Sequence, residues 1–150
     1  MMEGDKPMNH DTQQLLRECS AGIDMAVRAI DDVAGQAKDA QMQNALLTCR
    51  KAHQALEKRT TSLLREEDLA AKPANAMARS MAWLKSSAKL AMMPEDATIA
   101  DLMTDGCNMG IKSLLRYRNR YAQADEQARK IAGELIDAER QLCRQMEQYL

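Results

Sequence analysis

Apolar residues return at every third or fourth position through most of this chain, the period of an α-helix with one buried face. Leu15, Cys19, Gly22, Ile23, Ala26, Ile30 and Val33 form a first stripe and predict a helix over residues 12–36. Asp11 and Gln14 stand where a reciprocal N-cap would sit. Gly35 and the Lys38-Asp39 pair mark a turn, after which Met42, Leu46, Cys49, His53, Leu56, Thr60 and Leu63 form the stripe of a second helix over residues 39–67. Pro73 cannot continue that helix but suits the first turn of the next, which carries Met77, Met81, Leu84, Ala88 and Ala91 and ends at Met93-Pro94. Thr98-Ile99-Ala100-Asp101 reads as a capping box, so a fourth helix starts there or slightly earlier at Asp96. Its stripe is Ile99, Leu102, Met103, Gly106, Gly110, Leu114, Tyr117 and Tyr121. After a turn at residues 123–125, a last helix turns Ala128, Ile131, Leu135, Ala138, Leu142, Met146 and Tyr149 inward and reaches the C-terminus.

Two short turns make the first two helices and the last two helices antiparallel hairpins. The middle helix, over residues 73–93, becomes the connection between them, long enough for the fourth helix to start where the first ended and run antiparallel to it. Composition agrees: 12 Met, 6 Gly, 3 Pro and no Phe favour an all-α chain. With 150 residues, one domain with a sizeable core is expected over residues 12–150, preceded by a mobile N-terminal segment, residues 1–11.

The stretch Thr104-Asp105-Gly106-Cys107-Asn108-Met109-Gly110-Ile111 strains this picture, because each glycine inside a helix costs about 1 kcal/mol relative to alanine. Close approach by a neighbouring helix would compensate, and Gly22 with Gly110 mark the expected contact between the first and fourth helices. Cys19-x-x-Gly22-Ile23 matches Cys107-x-x-Gly110-Ile111, and Ala52-His53-x-x-Leu56 matches Ala138-Glu139-x-x-Leu142 at nearly the same offset, which favours a duplicated hairpin.

Two hairpins joined by a crossover resemble the ferritin-like superfamily. Asp105-Gly106-Cys107-Asn108-Met109-Gly110-Ile111-Lys112-Ser113-Leu114 and Met81-Ala82-Trp83-Leu84-Lys85 more narrowly resemble an uncharacterised family of small bacterial ferritin-like proteins, over residues 15–150. The resemblance implies a four-helix bundle with an additional crossover helix, and no activity. Di-iron members of the superfamily place a Glu on each of two helices and a Glu-x-x-His on each of the others. Here the second helix offers Arg50-x-x-His53 and the last Ile136-x-x-Glu139, so both motifs are broken. Glu18, His53, Asp105 and Glu139 are the remaining metal candidates, with Arg50 expected beside them to pair with the carboxylates. Cys19 and Cys107, facing each other, would be the soft-metal alternative.

A core His53 bonded to Glu139 or Glu18 is preferred over a metal ligand, since a buried polar group needs a partner whatever it does. Four scattered cysteines without a C-x-x-C pattern read as small buried hydrophobes in a reducing compartment, hence a cytoplasmic protein. With His10 and His53 the only histidines, acid-base chemistry has little to work with. A formal net charge of −1 gives no warrant for a nucleic-acid partner, and the Tyr117-Arg118-Asn119-Arg120-Tyr121 segment reads as a solvated helix end. Residues 73–93, basic and Met-rich, suit a docked crossover better than contact with a membrane surface. The expectation is a non-enzymatic scaffold with a degenerate di-metal site, without a cofactor, self-associating as a dimer or larger or binding a protein partner. Trp83, Met92, Met93 and Tyr121 lie beside the main stripes as contact residues. The alternative is a metal-storage or redox protein that holds iron or another transition metal.

Overall fold

The computed structural model of the chain describes residues 7–70 and 90–150. Four α-helices and a short 3₁₀ turn account for most of them: α1 (His10–Ala34), α2 (Ala40–Glu66), α3 (Asp96–Arg120), α4 (Glu126–Met146) and the 3₁₀ turn Glu147–Tyr149. The described chain is therefore all-helical, as the apolar period predicts. The predicted middle helix lies outside the described residues except for its end, where Leu90 is buried.

α1 packs on α2, α3 and α4, and α4 packs on α1, α2 and α3, whereas α2 and α3 stand at far corners in no more than marginal contact. α1 and α4 thus form the short diagonal of a four-helix array. Hydrogen bonds at the helix ends fix the direction of each element. The Asp96 carboxylate at the start of α3 accepts the backbone N–H groups of Lys38 and Asp39, at 2.8 and 2.9 Å, in the α1–α2 turn. Asp39 caps α2 by accepting from the Met42 N–H and also accepts a hydrogen bond from the Tyr149 hydroxyl at 2.5 Å. That hydroxyl and the Met42 N–H hold the Asp39 carboxyl below its usual range, and the same contact pushes the Tyr149 phenol up to about 12. At the opposite end the Asp11 carboxylate accepts from the Gln123 N–H, and the Thr12 hydroxyl accepts from the Asp125 N–H. α1 and α4 therefore run one way, α2 and α3 the other.

Asp11 does not cap α1. Asn9 does, accepting from the Thr12 N–H at 2.8 Å, so that α1 begins two residues before the predicted start. The Asp11 carboxylate is drawn off by the α3–α4 turn, where unpaired backbone donors also need acceptors. Met8 and Asn9 are likewise tied down, to Glu67 and Gln123, so the predicted mobile segment does not extend through them. α3 starts at Asp96, and its N-cap residue Glu95 makes no side-chain capping bond. Asp96→Ala should lower stability by about 1 to 2 kcal/mol, because two turn N–H groups lose a charged acceptor. Thermal melting would check this, and an unchanged midpoint would mean that water replaces the carboxylate without cost.

Burial follows the predicted stripes closely in α1, α2 and α4. Leu15, Ile23, Ile30, Met42, Leu46, Ile131, Leu135 and Leu142 are all essentially inaccessible, each contributing on the order of 2 kcal/mol through transfer from water. The interior divides into two apolar clusters. One, around Ile30, Met42, Leu46, Ile99, Met103 and Met146, lies towards the Asp96 end. The other, around Leu15, Leu16, Ile23, Leu64, Ile131 and Leu135, lies towards the Asp11 end.

Candidate functional site

Polar groups occupy the interior near the junction of the two clusters. His53 on α2 is 1% exposed and Glu139 on α4 is 8% exposed. His53 Nδ1 donates to the carbonyl oxygen of Cys49, one turn earlier on α2, at 2.9 Å. That bond fixes the ring, because a carbonyl can only accept, and it turns Nε2 towards α4. Nε2 lies 3.9 Å from Glu139 Oε1, within ion-pair range but beyond a direct hydrogen bond. The other carboxylate oxygen, Oε2, is buried without a hydrogen-bond partner.

Gly110 makes this arrangement possible. A Cβ at position 110 would stand 2.6 Å from both carboxylate oxygens of Glu139 and 2.9 Å from its Cδ. The glycine in the middle of α3 therefore provides a notch into which the α4 carboxylate fits. The compensation expected for the glycine is present, but its partner is a side chain of α4 and not the backbone of α1. Among the described residues nothing from a neighbouring element stands within 4 Å of the corresponding position at Gly22 or Gly106, so neither marks a close approach. The predicted α1–α3 contact through Gly22 and Gly110 is thus replaced by a contact across the α3–α4 hairpin. Counting outward from the turn after Arg120 brings Gly110 beside the Ile136–Glu139 segment, which was the available signal.

Burial opposes charge on His53, but the contacts with Cys49 and Glu139 outweigh it and push the imidazole up to about 10. Burial raises the Glu139 carboxyl, while His53 pulls it back down. The carboxylate that His53 faces favours the imidazole proton, and the Glu139 carboxyl stays above its ordinary value overall. Cys107 on α3 is buried near it, and desolvation, the Glu139 charge and the thiols of Cys49 and Cys143 all raise its pKa. Such a thiol stays protonated and unreactive.

Other predicted site residues lie elsewhere. Arg50 turns outward, and its Nε donates to Asp31 of α1 at 2.5 Å, with both side chains substantially exposed. It leaves the buried pair because an always-charged guanidinium finds a carboxylate at the surface without being desolvated. Asp105 is exposed on α3. Glu18 is half-buried beside Cys19, whose thiol is pushed up to about 12 by burial and by that carboxylate. Cys19 belongs to the cluster at the Asp11 end and Cys107 to the one at the Asp96 end, so the two do not face each other. On antiparallel helices, corresponding positions meet only near the middle of the bundle and part to either side of it elsewhere, which is why the match misled for Cys19 and Cys107. Cys107 instead shares its surroundings with Cys49 and Cys143.

His53 and Glu139, the two residues aligned by the internal match, do meet. Two ligands do not make a di-metal centre, and among the described residues no group of three or more His, Cys, Asp or Glu side chains is arranged to hold a metal ion. The residues present do not fit the metal pair of the ferritin-like resemblance.

The chain is similar in fold to the crystal structure of a DUF305 fragment, a domain of unknown function, from Deinococcus radiodurans. The TM-score is 0.74, over 95% of this chain and 97% of that one, with 13% identity. At that identity the likeness shows the all-helical fold. No protein-family model and no curated protein matches the sequence. No helix among the described residues is long and apolar enough to cross a membrane.

Proposed function

We propose that this protein is a non-enzymatic helical scaffold of ferritin-like construction, whose ancestral di-metal site has become a structural ion pair and which acts by self-association or by binding a protein partner. The observation that carries this reading is the buried His53–Glu139 pair: its two groups face each other inside the bundle, Arg50 pairs with Asp31 at the surface, and Asp105 is exposed. The helix directions, with a long connection between two hairpins, support the ferritin-like order. A shallow hollow on α2, lined by Glu57, Lys58, Thr61, Ser62, Arg65 and Glu66, offers neither a histidine nor a thiol. The singly scattered cysteines support a reducing compartment, the cytoplasm. Of the predicted contact residues, Met92 and Met93 are exposed, Tyr121 is half-buried against the core, and Trp83 lies outside the described residues.

Elemental analysis of protein purified without chelator tests the reading, together with light scattering. We expect far less than one iron per chain, no ferroxidase activity, and a mass above that of one chain. Iron near two equivalents per chain, abolished by His53→Ala, would overturn it in favour of a metal-storage or redox role.

A further inference from the structure

Three cations stand in one exposed row on α3. Lys112, Arg116 and Arg120 follow one another at four-residue spacing, so their side chains leave the same face about 6 Å apart along the axis. Like charges at this spacing oppose one another, and no ion pair among the described residues offsets them. The ion pairs among the described residues involve Arg28, Arg50, His53 and Arg59, not this row. Residues 71–89 contain no acid, which leaves Glu3 and Asp5 as the only acids outside the described residues.

The neighbouring guanidinium groups are held by uncharged partners, which leaves their charge unspent. Arg120 lies over the Tyr117 ring, 5.7 Å from its centroid, and that ring stacks on Tyr121. Arg129 of α4 donates to the carbonyl oxygens of Arg118 and Ala122, each at 3.5 Å, and so extends the positive surface across the α3–α4 turn.

We propose that this row is a docking surface for an acidic helix of another protein, one that carries carboxylates at the same four-residue spacing. The inference rests on the scaffold reading and names the chemistry of the partner. A straight row of fixed charges at helical spacing is matched, charge for charge, by a second helix laid alongside it. No described helix of this chain carries three acids at that spacing, so a second copy supplies no such match. The net charge of −1 suits a local protein contact better than a phosphate polymer, which draws on a basic surface as a whole.

Fluorescence anisotropy on the full chain at low salt tests the proposal with a labelled alanine-rich peptide bearing glutamates at positions i, i+4 and i+8. An isomer of that peptide with the same glutamates spread round the helix serves as the comparison. The aligned peptide should bind at least about tenfold more tightly than the isomer, and Lys112→Glu and Arg116→Glu should each weaken it about tenfold, since like charges oppose each other across the contact. Lys51→Glu, an exposed change on α2, should leave binding unaltered. Equal affinity for both peptides, no binding, no effect of the α3 substitutions in a protein of unchanged helical circular dichroism, or tighter binding of a single-stranded oligonucleotide would each overturn the proposal. If the peptide fails while light scattering still gives an oligomer, the docking surface falls and the scaffold reading stands.

Discussion

Gly110→Ala is expected to destabilise the protein by about 1 to 2 kcal/mol, although alanine is favoured over glycine inside a helix by about 1 kcal/mol. The added methyl group would stand 2.6 Å from both Glu139 oxygens. A flexible side chain can often retreat from such a clash at little cost. This carboxylate has nowhere better to go, because Oε2 already lacks a partner, Oε1 answers His53, and the apolar clusters lie to either side. Moving it separates the ion pair in a medium where an unpaired charge is costly. The decisive comparison is made in a Glu139→Ala background, where the notch is empty: there Gly110→Ala should stabilise by about 1 kcal/mol, the ordinary propensity gain. Urea denaturation of the four proteins gives the cycle directly. If alanine at 110 changes stability by the same amount in both backgrounds, the notch is not what the glycine is for.

The second large effect concerns the pair itself. Glu139→Ala or His53→Ala leaves one buried group facing nothing and should cost about 3 kcal/mol. The double replacement His53→Leu with Glu139→Met, which fills the same space with apolar atoms, should be close to neutral, since the desolvation of both charges is then avoided. Raised pKa values in the folded state mean that the native protein holds protons more tightly than the unfolded chain at both groups. The stabilising contribution of His53 is therefore complete below its unfolded value near 6.5 and is lost as pH rises towards about 10. The stability of the wild type relative to the double variant should fall between those limits, and melts at several pH values across that window would show it. A constant difference would mean that His53 does not change its proton affinity on folding.

Periodicity alone placed the four described helices, because burying one face is the strongest demand on each segment and leaves its period in the chain. The short turns after Ala34 and after Arg120 were legible for the same reason, with Asp39 and Asp125 at helix starts where the backbone needs an acceptor. His53 was recognisable as a core histidine since it stands on the buried stripe of α2, and Glu139 was recognisable as its counterpart through the internal match. What a sequence stripe leaves undetermined is rotation about the helix axis and register against neighbours. In α3 the buried face keeps Ile99, Met103 and Leu114 but takes in Ala100, Thr104 and Cys107 and leaves Gly106 exposed, a rotation that no local preference specifies. The same freedom decided that Arg50 would reach Asp31 at the surface, that Cys19 and Cys107 would part into separate clusters, and that the notch at Gly110 would receive a carboxylate from α4. Which helix a residue sits on, and roughly which side of that helix is buried, follow from the chain's own pattern of apolar positions. Which partner it meets is settled only when whole helices pack, because that choice minimises unpaired charge and empty space across several elements at once.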